Sequence, residues 1–234
     1  MSEIKKMYIR GEWVEAESGE TLEVFNPATG ECVGVVSYGD ERDAKKAIDA
    51  AHEAFREWSR LPGRQRSKYL TKLYELVMKH RNELAEMMSA EMGKPFGEAK
   101  FETVGSADNF LWYAEEAKRI YGETIPSYDG NKRLMAIKQP VGVVAAITPW
   151  NFPVNMVARK IAPALAAGCT VVLKPAMESP LSAVRLFELM EEAGFPKGVV
   201  NLVLARRKSL AMKCCKTGKW RKSPSPVRPP SASI

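Results

Sequence analysis

Between residues 141 and 203 apolar runs alternate with helical stretches, and this alternation restricts the fold more than any other feature of the chain. Val141-Gly-Val-Val-Ala-Ala-Ile147 is a near-continuous apolar run, the pattern of a strand buried on both faces of a parallel sheet. A helix is expected from about Val154 to Ala167, closing at Gly168, a residue suited to the left-handed turn that ends helices. Thr170-Val-Val-Leu-Lys174 reads as a second buried strand. Ser179 is placed to cap the next helix, with Pro180 at its first position and Gly194 at its end. A third strand is expected over Val199–Val203. Strand, helix, strand, helix, strand is the unit of a doubly wound α/β sheet, and such sheets bind ligands at the carboxyl ends of their strands. Those ends carry Thr148-Pro-Trp-Asn-Phe-Pro153 and Lys174-Pro-Ala-Met-Glu-Ser-Pro180. The Gly-x-Gly-x-x-Gly turn that commonly holds dinucleotide phosphates is absent after both.

Upstream, Tyr8–Trp13, Leu22–Phe25 and Cys32–Val36 read as short strands, with turn chemistry at Asn26-Pro27 and Thr29-Gly30. Asp40 is expected to cap a helix on which Ala44, Ala47, Ile48, Ala51, Phe55 and Trp58 recur at helical spacing. One long helix is expected from about Arg64 to Met92, with Tyr69, Leu73, Leu76, Val77, His80 and Leu84 on one face. Another is expected from about Gly97 to Ile120, with Phe101, Val104, Phe110 and Tyr113 inside. His52 and His80 fall within these helices and read as structural. Leu134–Lys138 reads as a strand.

The chain has 234 residues, 45% apolar and 27% charged, which suits a soluble globular protein. No apolar run approaches the roughly 20 residues of a membrane helix, and the N-terminus lacks a signal-peptide core, so a cytoplasmic protein without membrane partners is expected. The net charge of +7 invites thoughts of nucleic acid, but residues 205–234 carry nine Lys and Arg and no acid. Subtracting those nine from +7 leaves −2 for the rest, so only the tail is basic. That tail lacks the interleaved aromatics of a nucleic-acid binder, and no nucleic-acid partner is expected. Cys32, Cys169, Cys214 and Cys215 show no zinc-ligand spacing, so no metal is expected; Cys32 and Cys169 read as small buried hydrophobes.

Pro149-Trp-Asn-Phe-Pro153 has two prolines fixing the backbone around three side chains. Asn151 could present its amide donors rigidly, as an oxyanion hole requires; a rigid turn over an aromatic cap is the other reading. Together with Ala166-Ala-Gly-Cys-Thr-Val-Val-Leu-Lys-Pro-Ala176, the segment strongly resembles the aldehyde dehydrogenase superfamily. Phe25-Asn-Pro-Ala-Thr-Gly30, Glu91-Met-Gly-Lys-Pro95 and Gly194-Phe-Pro-Lys-Gly-Val-Val-Asn201 fit the same pattern, over residues 8 to about 203. The nearest members act on succinate semialdehyde and related small aldehydes. The resemblance implies an incomplete doubly wound, Rossmann-like cofactor-binding domain over residues 1–203, with part of an oligomerisation hairpin at about 124–140.

It implies oxidation of an aldehyde to an acid with NAD or NADP through a cysteine thiohemiacetal. Asn151 would stabilise the oxyanion; Thr148, Pro149 and Trp150 would line the cofactor cleft; Lys174 would reach the adenosine ribose; Met156 would border the nicotinamide. Family members preferring NAD usually carry Glu two residues after the proline of Lys-Pro-Ala. Here Met177 stands there, with Glu178 one place later, so NADP use stays open. The family's nucleophilic Cys and base Glu would fall roughly 100 and 130 positions beyond Asn151, farther than the chain extends, so the chain is expected to be inactive by itself. The alternatives are a residual nucleotide-binding module or, third, a nucleic-acid-binding tail. Homo-oligomers are implied for full-length relatives and not for this chain. Val199–Val203 would form an open sheet edge, and poor stability is expected.

After Val203 the composition turns to Lys, Arg, Pro and Ser. Residues 204–234 read as a disordered tail in a shifted reading frame: the codons of Lys222–Pro229 permit Phe-Thr-Gly-Ser-Thr, the family's phosphate-embracing motif, in another frame.

Overall fold

A computed structural model describes residues 3–205. The expected strand–helix alternation forms β8 (Val143–Ile147), α5 (Pro153–Ala166), β9 (Thr170–Lys174), α6 (Leu181–Ala193) and β10 (Val200–Leu202). These strands run parallel, Val144 opposite Val171 and Val171 opposite Val200. Every residue of β9 is buried, so both of its faces are covered. The helix α1 (Glu41–Trp58) packs along all three strands, and α5 packs on β8 and β9. Thr170 Oγ1 ties α1 to the sheet by donating to the Ala51 carbonyl at 2.8 Å.

The sheet is completed from the N-terminal side. β2 (Met7–Ile9) runs antiparallel to β10, with Leu202 opposite Tyr8, and β3 (Glu12–Val14) pairs outside it. The order is β3-β2-β10-β9-β8. The third strand is therefore not the open edge that its place in the sequence suggested. Among the described residues the edge strands are β3 and β8, and β8 is only partly buried, with Ile147 40% exposed. An apolar run signals burial only when both neighbours exist, and β8 has one among the described residues. The described sheet thus supplies one half of a doubly wound fold.

A second sheet joins β1 (Ile4–Lys5), β5 (Cys32–Ser37) and β4 (Thr21–Phe25) in the order β1-β5-β4. Cys32, expected inside, is exposed at the start of β5, next to a register shift at Val24/Phe25; Cys169 is buried as expected. Outside α5 and α6 lies a layer of α2 (Gly63–Lys79), α3 (Arg81–Met92) and α4 (Phe96–Glu116), followed by a 3-10 turn at Ala117–Arg119.

Local chemistry explains most of these boundaries. Asp40 closes a reciprocal capping box with Asp43 at the start of α1. Gly93 (φ 74°) and Gly194 (φ 82°) end α3 and α6 in the left-handed conformation. The long helix expected over 64–92 is broken at His80, where φ is −98° and ψ 18°; no Gly or Pro marks this break. His80 Nδ1 lies 2.8 Å from Glu83, and Arg185 bonds to both, so this histidine is structural. Phe101, expected inside, is 81% exposed. The face of α4 that is buried runs through Ala99, Glu102, Thr103, Ser106, Ala107, Phe110 and Ala114, and Phe101 falls outside that stripe.

β6 (Glu123–Ile125) pairs with β7 (Leu134–Ala136) as a hairpin exposed along its whole length. No helix among the described residues is long and apolar enough to cross a membrane. Residues 204–205 continue from β10, and the Gly39 amide donates to the Leu204 carbonyl. The tail reading for 206–234 lies outside the described residues.

Candidate functional site

The turns after β8 and β9 meet at one cleft. A cavity of about 550 Å³ is walled by Tyr38, Ile147, Thr148, Pro149, Trp150, Lys174, Ala176, Met177 and Glu178. Six of the eight residues singled out from sequence are in this wall. Asn151 and Met156 are not; they lie on the turn beyond Trp150 and on α5. A second cavity, of about 520 Å³, shares Trp150, Met177 and Glu178 and extends the cleft towards Phe25, Pro27, Glu91 and Met92. Tyr38 was missed because it follows β5, far away in sequence, with no motif to mark it.

Two hydrogen bonds hold the two turns in register, and two more brace one turn each. The Thr148 amide donates to the Lys174 carbonyl at 3.2 Å. Ser179 Oγ donates to the Trp150 carbonyl at 3.3 Å, bridging the turns. Lys174 Nζ is buried and donates to the Pro175 carbonyl at 2.8 Å. Lys94 Nζ donates to the Asn151 carbonyl at 2.9 Å. The Asn151 side chain is exposed, and its amide has no hydrogen-bond partner among the described residues.

The helices that leave these turns start in an unexpected way. Neither α5 nor α6 is capped by its own flanking side chain. Pro180, not Ser179, occupies the capping position of α6, and the Ser179 hydroxyl is turned to Trp150. The acceptors come from the outer helices. Glu91 takes the amides of Leu181 at 2.6 Å and Ser182 at 3.2 Å; Glu102 takes those of Val154 and Asn155, both at 3.1 Å. Both glutamates are buried, at 2% and 4% exposure. Burial pushes Glu91 up to about 7, against the pull of the amide hydrogen bonds. The helix N-termini where a Gly-x-Gly-x-x-Gly fold would seat phosphate are thus already occupied by carboxylates.

The cleft fits a dinucleotide in one specific respect. Thr148 Oγ1 is fully buried and has no hydrogen-bond partner among the described residues. A buried hydroxyl without a partner is costly, and a ligand hydroxyl or amide in the cleft would satisfy it. Lys174 and the apolar Met177 at the same wall suit a ribose, with or without a 2′-phosphate.

Comparison with known proteins gives a consistent result. The model of the aldehyde dehydrogenase family matches residues 13–222, continuing past Val203 into the basic segment. Glutarate-semialdehyde dehydrogenase of Pseudomonas putida is 50% identical over 199 residues, covering 85% of this chain and 42% of the relative. The NADP(+) succinate-semialdehyde dehydrogenase of Escherichia coli is 50% identical over 195 residues, covering 83% and 40%. The crystal structure of an E. coli NADP-dependent enzyme superposes with a TM-score of 0.91 at 46% identity, covering 93% of this chain and 45% of that one. Betaine aldehyde dehydrogenase of Staphylococcus aureus, solved with NAD+, gives 0.89 at 38% identity, covering 92% and 43%. The chain therefore spans about two fifths of the length of the curated relatives it matches. Half of a doubly wound sheet, a cleft at its carboxyl edge and a family match over residues 13–222 lead to one conclusion: this chain belongs to the aldehyde dehydrogenase family.

Proposed function

We propose that this chain is the cofactor-binding part of an NAD(P)-dependent dehydrogenase that oxidises a small, anionic aldehyde to a carboxylic acid. The observation that carries the reading is the orphaned Thr148 hydroxyl inside a cleft built from both strand-end turns. In this reading the cleft takes the adenosine half of the cofactor, with Lys174 at the ribose and Met177 leaving room for a 2′-phosphate. The nicotinamide, when bound, accepts the hydride. Met156 borders that ring. Asn151 holds its amide donors at the turn beyond the cleft, where they stabilise the oxyanion formed as a nucleophile attacks the aldehyde.

The substrate class follows from the relatives' names, glutarate and succinate semialdehyde, each a chain with an aldehyde at one end and a carboxylate at the other.

Cys169 is not placed to be the nucleophile. Cys169 is 3% exposed and precedes β9, whereas Asn151 follows β8. The strands are parallel and five residues long, so Cys169 and Asn151 lie at opposite ends of the sheet, about 15 Å apart. Residues 1–234 alone are therefore proposed to bind nucleotide without turning over aldehyde. We also propose that the reading frame shifts after Ala205, within residues 206–211; the coding DNA past codon 205, read in the other frame, tests this.

Calorimetric titration of the chain with NAD and NADP tests the central reading. Saturable binding that weakens in Thr148→Val supports it. No binding of either nucleotide to the folded chain, or cysteine-dependent NAD(P)H production by it, would sink it.

A further inference from the structure

The Asn151 turn is tied to the outer helical layer by the Lys94 ammonium. Gly93 ends α3 in the left-handed conformation, and the next residue, Lys94, runs to the start of α5. Its ammonium is mostly enclosed, with 9% of the side chain exposed. It pairs with the Glu102 carboxylate, donates to the Asn151 carbonyl at 2.9 Å and lies 4.0 Å from the centre of the Phe152 ring.

The two partners of Lys94 have different roles. Pro153 has no N–H, Glu102 accepts from Val154 and Asn155, and the Met156 amide donates to the Phe152 carbonyl at 2.8 Å. The first amides of α5 are thus fully satisfied without Lys94. The bond from Lys94 to the Asn151 carbonyl adds nothing to the helix. What it fixes is the peptide between Asn151 and Phe152, in a stretch outside any helix or strand. Phe152 beneath the same ammonium restricts the turn from the other side.

From this geometry we propose that Lys94 is a positioning residue for Asn151, with Glu102 as the buried counter-charge that holds Lys94 in place. The idea rests on the oxyanion role of Asn151 for its functional meaning. Its physical content, that Lys94 immobilises the 151–152 peptide, stands apart from that role.

The test measures backbone order by ¹⁵N relaxation in the 234-residue chain. Lys94→Met alone would strand a buried carboxylate, so the decisive variant is the double change Lys94→Met with Glu102→Gln. The glutamine carbonyl can still accept from Val154 and Asn155, no charge is left unpaired, and the Asn151 carbonyl loses its donor. The expected result is a fall in the order parameters of Asn151 and Phe152 from about 0.85 to below about 0.6. Hydrogen exchange at Val154 and Asn155 should stay within about twofold of the parent. Lys94→Arg, which keeps donors for both oxygens, should restore the rigid turn. A turn as rigid in the double variant as in the parent overturns the proposal. So does a double variant that cannot fold while Lys94→Arg folds, since the pair would then be structural only. No aldehyde or nucleotide enters this measurement, so it can fail while the oxyanion role of Asn151 holds, and the converse.

Discussion

Glu91 Oε2 accepts a 2.6 Å hydrogen bond from the backbone amide of Leu181, a residue 90 positions later in the chain. The carboxyl is buried, and its folded-state pKa lies near 7 against an ordinary 4.5. Below about pH 4.5 it is neutral in both the folded and the unfolded chain. As pH rises towards 7 the unfolded chain ionises first, so the folded state loses stability through that window, by about 3 kcal/mol in total. Denaturant unfolding from pH 4 to 8 should show Glu91→Gln gaining on the parent as pH rises. Parallel pH profiles for the two proteins would refute this.

Thr148 makes a prediction in which stability and binding move oppositely. Removing its unpartnered buried hydroxyl in Thr148→Val should raise stability by about 1 kcal/mol. The same change should weaken nucleotide binding about tenfold, because the ligand loses its polar partner. Thermal unfolding and calorimetry on one sample read both, and a variant that binds as tightly as the parent contradicts the assignment.

Met177 lines the cleft beside Lys174 and Glu178. A carboxylate at 177 would accept from ribose hydroxyls and repel a 2′-phosphate. Met177→Glu should move the ratio of NAD to NADP affinity about tenfold or more towards NAD. An unchanged ratio would place the ribose elsewhere.

Gly63 opens α2 against the 3-10 turn. A methyl group added there would sit 2.0 Å from the carbonyl oxygen of Ala117. Gly63→Ala should cost on the order of 2 kcal/mol, since backbone must move. Gly97, in the first turn of α4, faces open space, and Gly97→Ala should be neutral or stabilising by up to about 1 kcal/mol. Equal effects at the two sites in urea unfolding would count against this packing.

Asn151 carries the chemical prediction. In the complete dehydrogenase, Asn151→Ala should lower kcat about 10²- to 10³-fold while leaving nucleotide affinity within about twofold. Loss of nucleotide binding with unaltered kcat would reverse its role.

Much of this arrangement was legible in the sequence because its signals are local. Strand and helix spacing located β8 to β10, Asp40 announced its own cap, and Gly93 and Gly194 their helix ends. What escaped is what distant residues supply. Ser179 has the right chemistry for a cap, yet Glu91 takes that place and the serine bonds Trp150 instead. Val141–Ile147 has the composition of a central strand, yet β8 is an edge among the described residues, because neighbours and not composition decide burial. Phe101 looked like core since it is aromatic on a helix; its angular position on α4 leaves it outside. The Lys94–Glu102 pair has no sequence signature, since eight residues and a helix start separate its members.

The pairing of Tyr8 with Leu202 has a consequence for the order in which the molecule forms. The hairpin of β2 and β3 leaves the ribosome early, yet its partner strand is the last of the described strands to be made. Until then its edge must wait unmatched, so closing the sheet is a late event that follows synthesis of nearly the whole described chain. Such closure across the sequence is slow, and it leaves the early hairpin as the segment most exposed to wrong pairing during synthesis.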